Sequence, residues 1–188
     1  MKLHVIIGST RPGRIGLPIG EWFVAFAKEN SEFEVTLVDL QEINLPFFDE
    51  PNHPRLKQYT KDHTKKWSEI IASADAFVFV TPEYNYSMPA PLVNAIDFLS
   101  QEWAEKVAGI VSYGGASSGT RAAQQLKQLL TAVEMMPLSE AVTITGLSRH
   151  MVEGKFEPDE HIAKMAETML KKLAVWSQHL KNLREEIR

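Results

Sequence analysis

The chain contains no cysteine among its 188 residues. Disulfides, thiol nucleophiles and cysteine-built zinc or iron–sulfur sites are therefore excluded, and a reducing compartment is compatible with that composition. No run approaches the ~20 apolar residues of a membrane span. The opening Met1-Lys2-Leu3-His4-Val5-Ile6-Ile7-Gly8 turns at glycine too soon to supply the apolar stretch and cleavage site of a signal peptide. Positive charge is not in excess either: 20 basic residues face 24 acidic ones, a formal charge of −4, so electrostatic binding to nucleic acid is not expected. The six histidines form no metal-ligand pair at helical spacing, and no metal is expected. No repeat or linker divides the chain. These absences predict one cytoplasmic domain spanning residues 1–188, with neither nucleic acid nor membrane as partner.

What is present is an alternation of two periods. Apolar runs at 3–8, 34–40, 76–81, 107–113 and 141–145 predict five strands. Between them, apolar residues recur at three and four: Ile15, Ile19, Trp22, Phe23, Phe26; then Leu56, Tyr59, His63, Trp67, Ile70, Ile71; then Leu92, Ala95, Ile96, Leu99; then Ala122, Leu126, Leu129, Leu130, Val133. A long last helix is predicted from about residue 158, and the Pro- and Asn-rich stretch 44–54 reads as a loop. The run 76–81 is apolar on consecutive positions, which predicts a central strand covered on both faces. Strands alternating with helices predict an α/β fold: a flavodoxin-like, doubly wound, five-stranded parallel sheet, order 2-1-3-4-5, with helices on both faces. In that order ligands sit beyond the carboxyl ends of the first and third strands. The loops 8–14, 81–87 and 113–119 should converge there.

The first of these loops, Gly8-Ser9-Thr10-Arg11-Pro12-Gly13-Arg14-Ile15-Gly16, joins a strand to a helix. Backbone N–H groups at a helix start bind anions. Ser9 and Thr10 add hydroxyls, and Arg11 and Arg14 add planar forks suited to phosphate oxygens. Arg14 and Ile15 stand where a nucleoside-triphosphate loop needs lysine and a hydroxyl, and Thr10 stands where a dinucleotide loop needs glycine. A phosphate monoester without an obligatory metal remains, and FMN fits that description. In the second loop, Thr81-Pro82-Glu83-Tyr84-Asn85-Tyr86-Ser87, either tyrosine could cover an aromatic ring and Asn85 could reach ring heteroatoms.

The third loop, Tyr113-Gly114-Gly115-Ala116-Ser117-Ser118-Gly119-Thr120-Arg121, allows close backbone approach to a flat ligand. It also contains G-x-S-x-G, so a serine hydrolase using Ser117 is an alternative, with Asp159 and His161 as the available later partners.

Taken together and in this order, Gly8-Ser9-Thr10-Arg11, Pro82-Glu83-Tyr84-Asn85 and Tyr113-Gly114-Gly115 with Arg121-Ala122 resemble the NADPH-dependent FMN reductase family, which includes quinone, azo and chromate reductases. The resemblance implies a cofactor, FMN, with NADPH or NADH as hydride donor and a small molecule as electron acceptor. It implies phosphate binding by Ser9, Arg11 and the N–H groups through Ile15; Thr10 and Arg14 are candidates from the loop's own chemistry, and Arg14 either contacts the phosphate or points to solvent. Pro82, Glu83, Tyr84 and Asn85 would lie along the flavin ring, and Tyr113, Gly114 and Gly115 would border its pyrimidine side. Family members usually carry serine where this chain has Arg14. The cofactor does the chemistry, so no catalytic side chain is implied.

A flavodoxin-type electron carrier, which would not oxidise NAD(P)H, is the second alternative. Such a carrier would be more acidic than −4. The family is commonly a homodimer or homotetramer. The apolar stripe of the last helix outruns one small sheet, so its end, or Trp103, is the expected subunit contact. Met135-Met136 and Met165 with Met169 are expected to fill the core.

Overall fold

In the computed structural model, which describes residues 1–187, the strand β1 (Lys2–Ile7) divides its side chains between two cores. Leu3, Val5 and Ile7 join one and Ile6 the other. The first core is closed by α1 (Gly16–Asn30), through Ile19 and Phe23, and by α6 (Glu160–Glu186), through Ile162, Met169 and Leu173. The second is closed by α3 (Asp62–Ala72), α4 (Ala90–Asp97) and α5 (Thr120–Ala132), through Trp67, Leu92 and Leu126. β3 (Ala76–Pro82) and β4 (Val107–Tyr113) are buried at every position, which is why their sequences do not alternate. The sheet order is β2 (Glu34–Asp39)-β1-β3-β4-β5 (Met136–Pro137), all parallel, as expected. Arg188, the last residue of the expected single domain, lies outside the described residues.

The fifth position differs from expectation. The expected strand at 141–145 corresponds only to β6 (Val142–Ile144), which pairs with the carboxyl half of β4. β5 pairs with the amino end of β4, Val107 opposite Met136. Between β5 and β6 the exposed Ser139 donates to the Glu140 carboxylate, so the polar pair leaves the ladder and splits the strand. An unpredicted hairpin also appears, β7 (Met151–Val152) with β8 (Lys155–Phe156). Its turn residues Glu153 and Gly154 both have positive φ, 48° and 81°, as a two-residue hairpin requires. The hairpin delivers Phe156 to Trp22 in the first core, ring centroids 5.1 Å apart.

The second helix starts later than its apolar spacing predicts. Leu56 lies in a 3₁₀ turn (Pro54–Leu56) and is 58% exposed, and Lys57 adopts φ 52°, which breaks the helical path. The cause is Glu50. Its carboxylate accepts from the Thr60 and Lys61 amides and from the Thr60 hydroxyl, occupying the amino end of α3 from ten residues upstream. Burial opposes that charge, but the bonds from Thr60 and Lys61 outweigh it and hold the carboxyl at about 2. The buried Glu102 carboxylate accepts from the Tyr59 and Ser68 hydroxyls and pins the same segment.

Two packing expectations need correction. Trp103 is fully buried, with Nε1 donating to the Ile96 carbonyl at 3.1 Å, so it is a core residue and no subunit contact. Met135 is buried as expected, whereas Met136 is 38% exposed because its strand lies at the sheet edge.

His4 points from β1 to the second face, edge-on to Phe77 at 6.1 Å, and its Nδ1 has no partner among the described residues. Burial first, then Lys106 and Lys2, lower its pKa to about 4 against the opposing pull of Glu34. The unfolded chain therefore takes up a proton near 6.5 and the folded chain only near 4. Stability should fall as pH drops through that window, by ~3 kcal/mol in all. His4→Leu should flatten this slope in urea denaturation at pH 7 and pH 4.5. Equal losses in the two proteins would refute the assignment.

Candidate functional site

The first loop leaves β1 at Gly8, whose N–H still donates to the Val80 carbonyl of β3 at 2.9 Å. It spends few donors on itself. Arg11 N donates to Ser9 Oγ at 3.3 Å, and Arg14 N donates to the Arg11 carbonyl at 3.0 Å. The N–H groups of Thr10, Gly13 and Ile15 have no acceptor among the described residues. Ile15, the residue before α1, provides no side-chain cap and has α-helical dihedrals. Arg11 is exposed and unpaired among the described residues. The result is a set of free donors at a positive helix end beside a free guanidinium.

Arg14 turns the other way. Its guanidinium pairs with Asp39, at the end of β2, and with Gln41, and its side chain is only 11% exposed. Asp39 also accepts from Gln41 N at 3.0 Å, capping the short helix α2 (Leu40–Ile43). Arg14 therefore ties the loop to the neighbouring strand.

The second loop is a tight turn. Tyr84 N donates to the Ser87 carbonyl at 2.8 Å and Ser87 N to the Tyr84 carbonyl at 2.9 Å. Its central residues Asn85 and Tyr86 are both left-handed, φ 52° and 69°. Asparagine tolerates that region and tyrosine seldom adopts it. Tyr84 reaches back to the first loop, its hydroxyl 2.8 Å from Ser9 Oγ. Ser9 is fully buried beneath the loop.

In the third loop the Tyr113 side chain turns inward, and its hydroxyl lies against Gly16 at the start of α1. Burial first, then the nearby Tyr84, push the phenol's pKa well above its ordinary value. A Cβ at Gly16 would lie 2.6 Å from this hydroxyl, so α1 can sit here only with glycine at its first position. Gly119 has φ 81°, and a Cβ there would lie 2.6 Å from Tyr113 N. What Gly114 and Gly115 present is backbone. Glu83 spans the second and third loops: its N–H donates to the Tyr113 carbonyl at 3.1 Å, and its carboxylate accepts from Arg121 N and Arg121 Nη1 at 3.1 and 2.9 Å. Burial works against the Glu83 charge, but the nearby Ser117 hydroxyl and Arg121 prevail and lower its pKa.

The structure thus brings all three loops together and links each to the next. Ser117 lies near a carboxylate, Glu83, whose bonded partner is Arg121. Asp159 accepts from Ile162 N as the cap of α6 and faces His150 at 4.0 Å. With its acid committed to that cap, the hydrolase arrangement does not assemble. Sequence reasoning missed Gln125, which holds the second loop through the Tyr86 carbonyl (3.0 Å) and Ser87 Oγ (2.7 Å). Its signal was its position one helical turn beyond Arg121. Sequence reasoning also missed the Arg14–Asp39 pair, which no local pattern announces.

The model of the NADPH-dependent FMN reductase family matches residues 1–148, the stretch that carries all three loops. The chain belongs to that family. An NAD(P)H-dependent FMN reductase of Schizosaccharomyces pombe is 37% identical over 179 residues, covering 94% of this chain and 89% of the relative. An NAD(P)H:quinone oxidoreductase of Solanum tuberosum is 48% identical over 62 residues, 31% of this chain and 32% of the relative. Among solved structures, the flavoenzyme NAD(P)H:(acceptor) oxidoreductase of Paracoccus denitrificans superposes with a TM-score of 0.74 at 23% identity, covering 95% of this chain and 97% of that one, and shares the fold. As an FMN reductase family member the chain is an FMN-dependent NAD(P)H oxidoreductase. The free donors of the first loop and the unpaired Arg11 fit the phosphate of that cofactor.

The fit of α1 against β4 is directly testable. Gly16→Ala should destabilise this FMN reductase by ~1–3 kcal/mol through overpacking. Adding Tyr113→Phe removes the atom that the new Cβ strikes, so the double variant should recover part of the loss. Strict additivity in thermal unfolding would show that the two groups do not meet.

Proposed function

We propose that this reductase holds the FMN phosphate on the N–H groups of Thr10, Gly13 and Ile15, the Thr10 hydroxyl and the Arg11 guanidinium. The observation that carries this is the cluster of unaccepted donors at the uncapped start of α1. Ser9, whose hydroxyl meets Tyr84, sets the loop's height above the sheet. Arg14, bonded to Asp39 and Gln41, holds the loop from behind. Pro82, Glu83, Tyr84 and Asn85 form the wall along the ring, and the backbone of Tyr113, Gly114 and Gly115 borders its pyrimidine edge.

Bound FMN supplies hydride acceptance from NADPH or NADH and electron delivery to a small acceptor. The residues of this chain place it, shield it and set the charge around it. Flavins and quinones, the substrates named for the family and for relatives, are the acceptors assigned to this chain. We assign the protein to the cytoplasm, as a single domain in a homodimer or homotetramer. The feature that supports the assembly is the exposed apolar set Val175, Trp176 and Leu183 on α6, with Ile187 just beyond its end. Light scattering at micromolar concentration should give a multiple of the chain mass; a monomer would refute the assembly.

The visible spectrum of the protein, after FMN addition and removal of the unbound fraction, should show stoichiometric flavin bands that bleach with NADPH under anaerobic conditions. Bound flavin that neither nicotinamide reduces would indicate an electron carrier instead. Arg11→Ala should weaken FMN binding about tenfold to a hundredfold, the value of a charge-assisted phosphate contact. Unchanged affinity would remove Arg11 from the phosphate site.

A further inference from the structure

Tyr86 is the anomaly of the crevice. It is a large aromatic residue in a left-handed conformation, φ 69°, where glycine or asparagine costs less, and it is 65% exposed. Neither burial nor local propensity accounts for it. Yet it is held firmly. The Arg121 guanidinium lies over its ring, Cζ 4.2 Å from the centroid. Gln125 bonds its carbonyl, and Ser87, the next residue, bonds back to Gln125. The turn closes on itself through Tyr84 and Ser87. Arg121 and Gln125 stand one turn apart on the same face of α5, so a single helix end clamps the turn.

The clamp leaves the aromatic ring with one face on a cation and much of the remainder open. Arg121 gives Nη1 to Glu83, while its Nε and Nη2 have no acceptor among the described residues, and its side chain is half-exposed. An open aromatic face and, behind it, a guanidinium with two unbonded nitrogens therefore stand at the carboxyl ends of β3 and β4. A flat ring stacks on the first, and an anionic substituent on that ring meets the second.

We propose that Tyr86 and Arg121 form the platform on which the oxidising substrate docks, and that they favour a flat ring carrying an anionic group. The proposal rests on the reading that the acceptor reaches bound flavin at this crevice. Glu83 is the one carboxylate bonded to Arg121, and the pairing leaves the other edge of the guanidinium for the ligand.

The probe is anthraquinone-2-sulfonate, tested in two ways. In flavin-free protein labelled with ¹³C in its tyrosine rings, titration should shift the Tyr86 resonances, identified by their absence in Tyr86→Phe. In the flavin-loaded enzyme, Tyr86→Gly keeps the left-handed turn and removes the ring. The ratio of kcat/KM for anthraquinone-2-sulfonate to that for ferricyanide, which is not flat, should fall about fivefold, the loss of one ring stack. Tyr86→Trp should restore it, and Arg121→Lys should erase the preference for the sulfonated over the uncharged quinone. An unchanged ratio, or unmoved Tyr86 resonances at saturating probe, overturns the platform. A rise confined to KM for NADPH overturns it too, since the ring would then serve the donor. If the wild-type protein takes up no flavin while Tyr86 still shifts, the functional reading fails and the docking surface stands.

Discussion

β3 and β4 are buried on both faces along their whole lengths, and the chemistry of the molecule follows from that constraint. A strand covered on both sides admits only small hydroxyls that find a carbonyl, here Thr81 and Ser112 near the ends of β3 and β4, and no charged or larger polar side chain until it ends. The polar groups of this chain's centre are therefore released together, at Glu83 and Tyr84 on one strand and around Tyr113 on the next. The β1–β3 and β3–β4 registers set these ends side by side, with Pro82 opposite Tyr113. A parallel sheet thereby converts sequence-distant loops into one rim, and the side chains only need to join what the backbone has already aligned. They do so in a chain: Ser9 bonds Tyr84, the Tyr113 hydroxyl packs on Gly16, and Glu83 bonds Arg121.

Much of this was legible because it rests on local pattern. The apolar runs, the helical spacing of Ile19 and Phe23, and the turn chemistry of the three loops all express forces that act within a few residues. What escaped the sequence depends on contacts across the fold. The partner of Arg14 is a carboxylate 25 residues away, and the late start of α3 is imposed by Glu50 from beyond a loop. The fifth position of the sheet is shared by two short pieces, and the first of them, Met136–Pro137, is too short to show a period in the sequence. The Glu153–Gly154 hairpin lacks the Asn-Gly or Asp-Gly signature that announces such turns. In the candidate site the residue types were legible but their partners were not. Arg14 was read as a ligand contact and stands paired inside the protein.

The segment after β2 illustrates how a long connection is kept in order. Asn94 on α4 donates to the Pro46 carbonyl and accepts from Phe48 N, so one side chain fixes the backbone on both sides of the exposed Phe47. Glu50 and Glu102 secure the rest through charge-assisted bonds to amides and hydroxyls. Two carboxylates and one amide side chain thus tie down a connection that this cysteine-free chain has no disulfide to hold. That arrangement keeps the cleft of about 490 Å³ beside Thr10 and Phe47 open next to the first loop.

The uncapped start of α1 has a thermodynamic consequence. Its donors gain an acceptor when an anion arrives, so the folded state binds the ligand and the unfolded chain does not. Linkage then adds RT ln(1 + [L]/Kd) to stability, ~2.7 kcal/mol at a hundredfold excess over Kd. For a protein of marginal stability this is a large share of the whole. Where that anion is scarce, a larger unfolded fraction is open to proteolysis. A missing helix cap at one loop thereby turns ligand concentration into a term in the folding equilibrium.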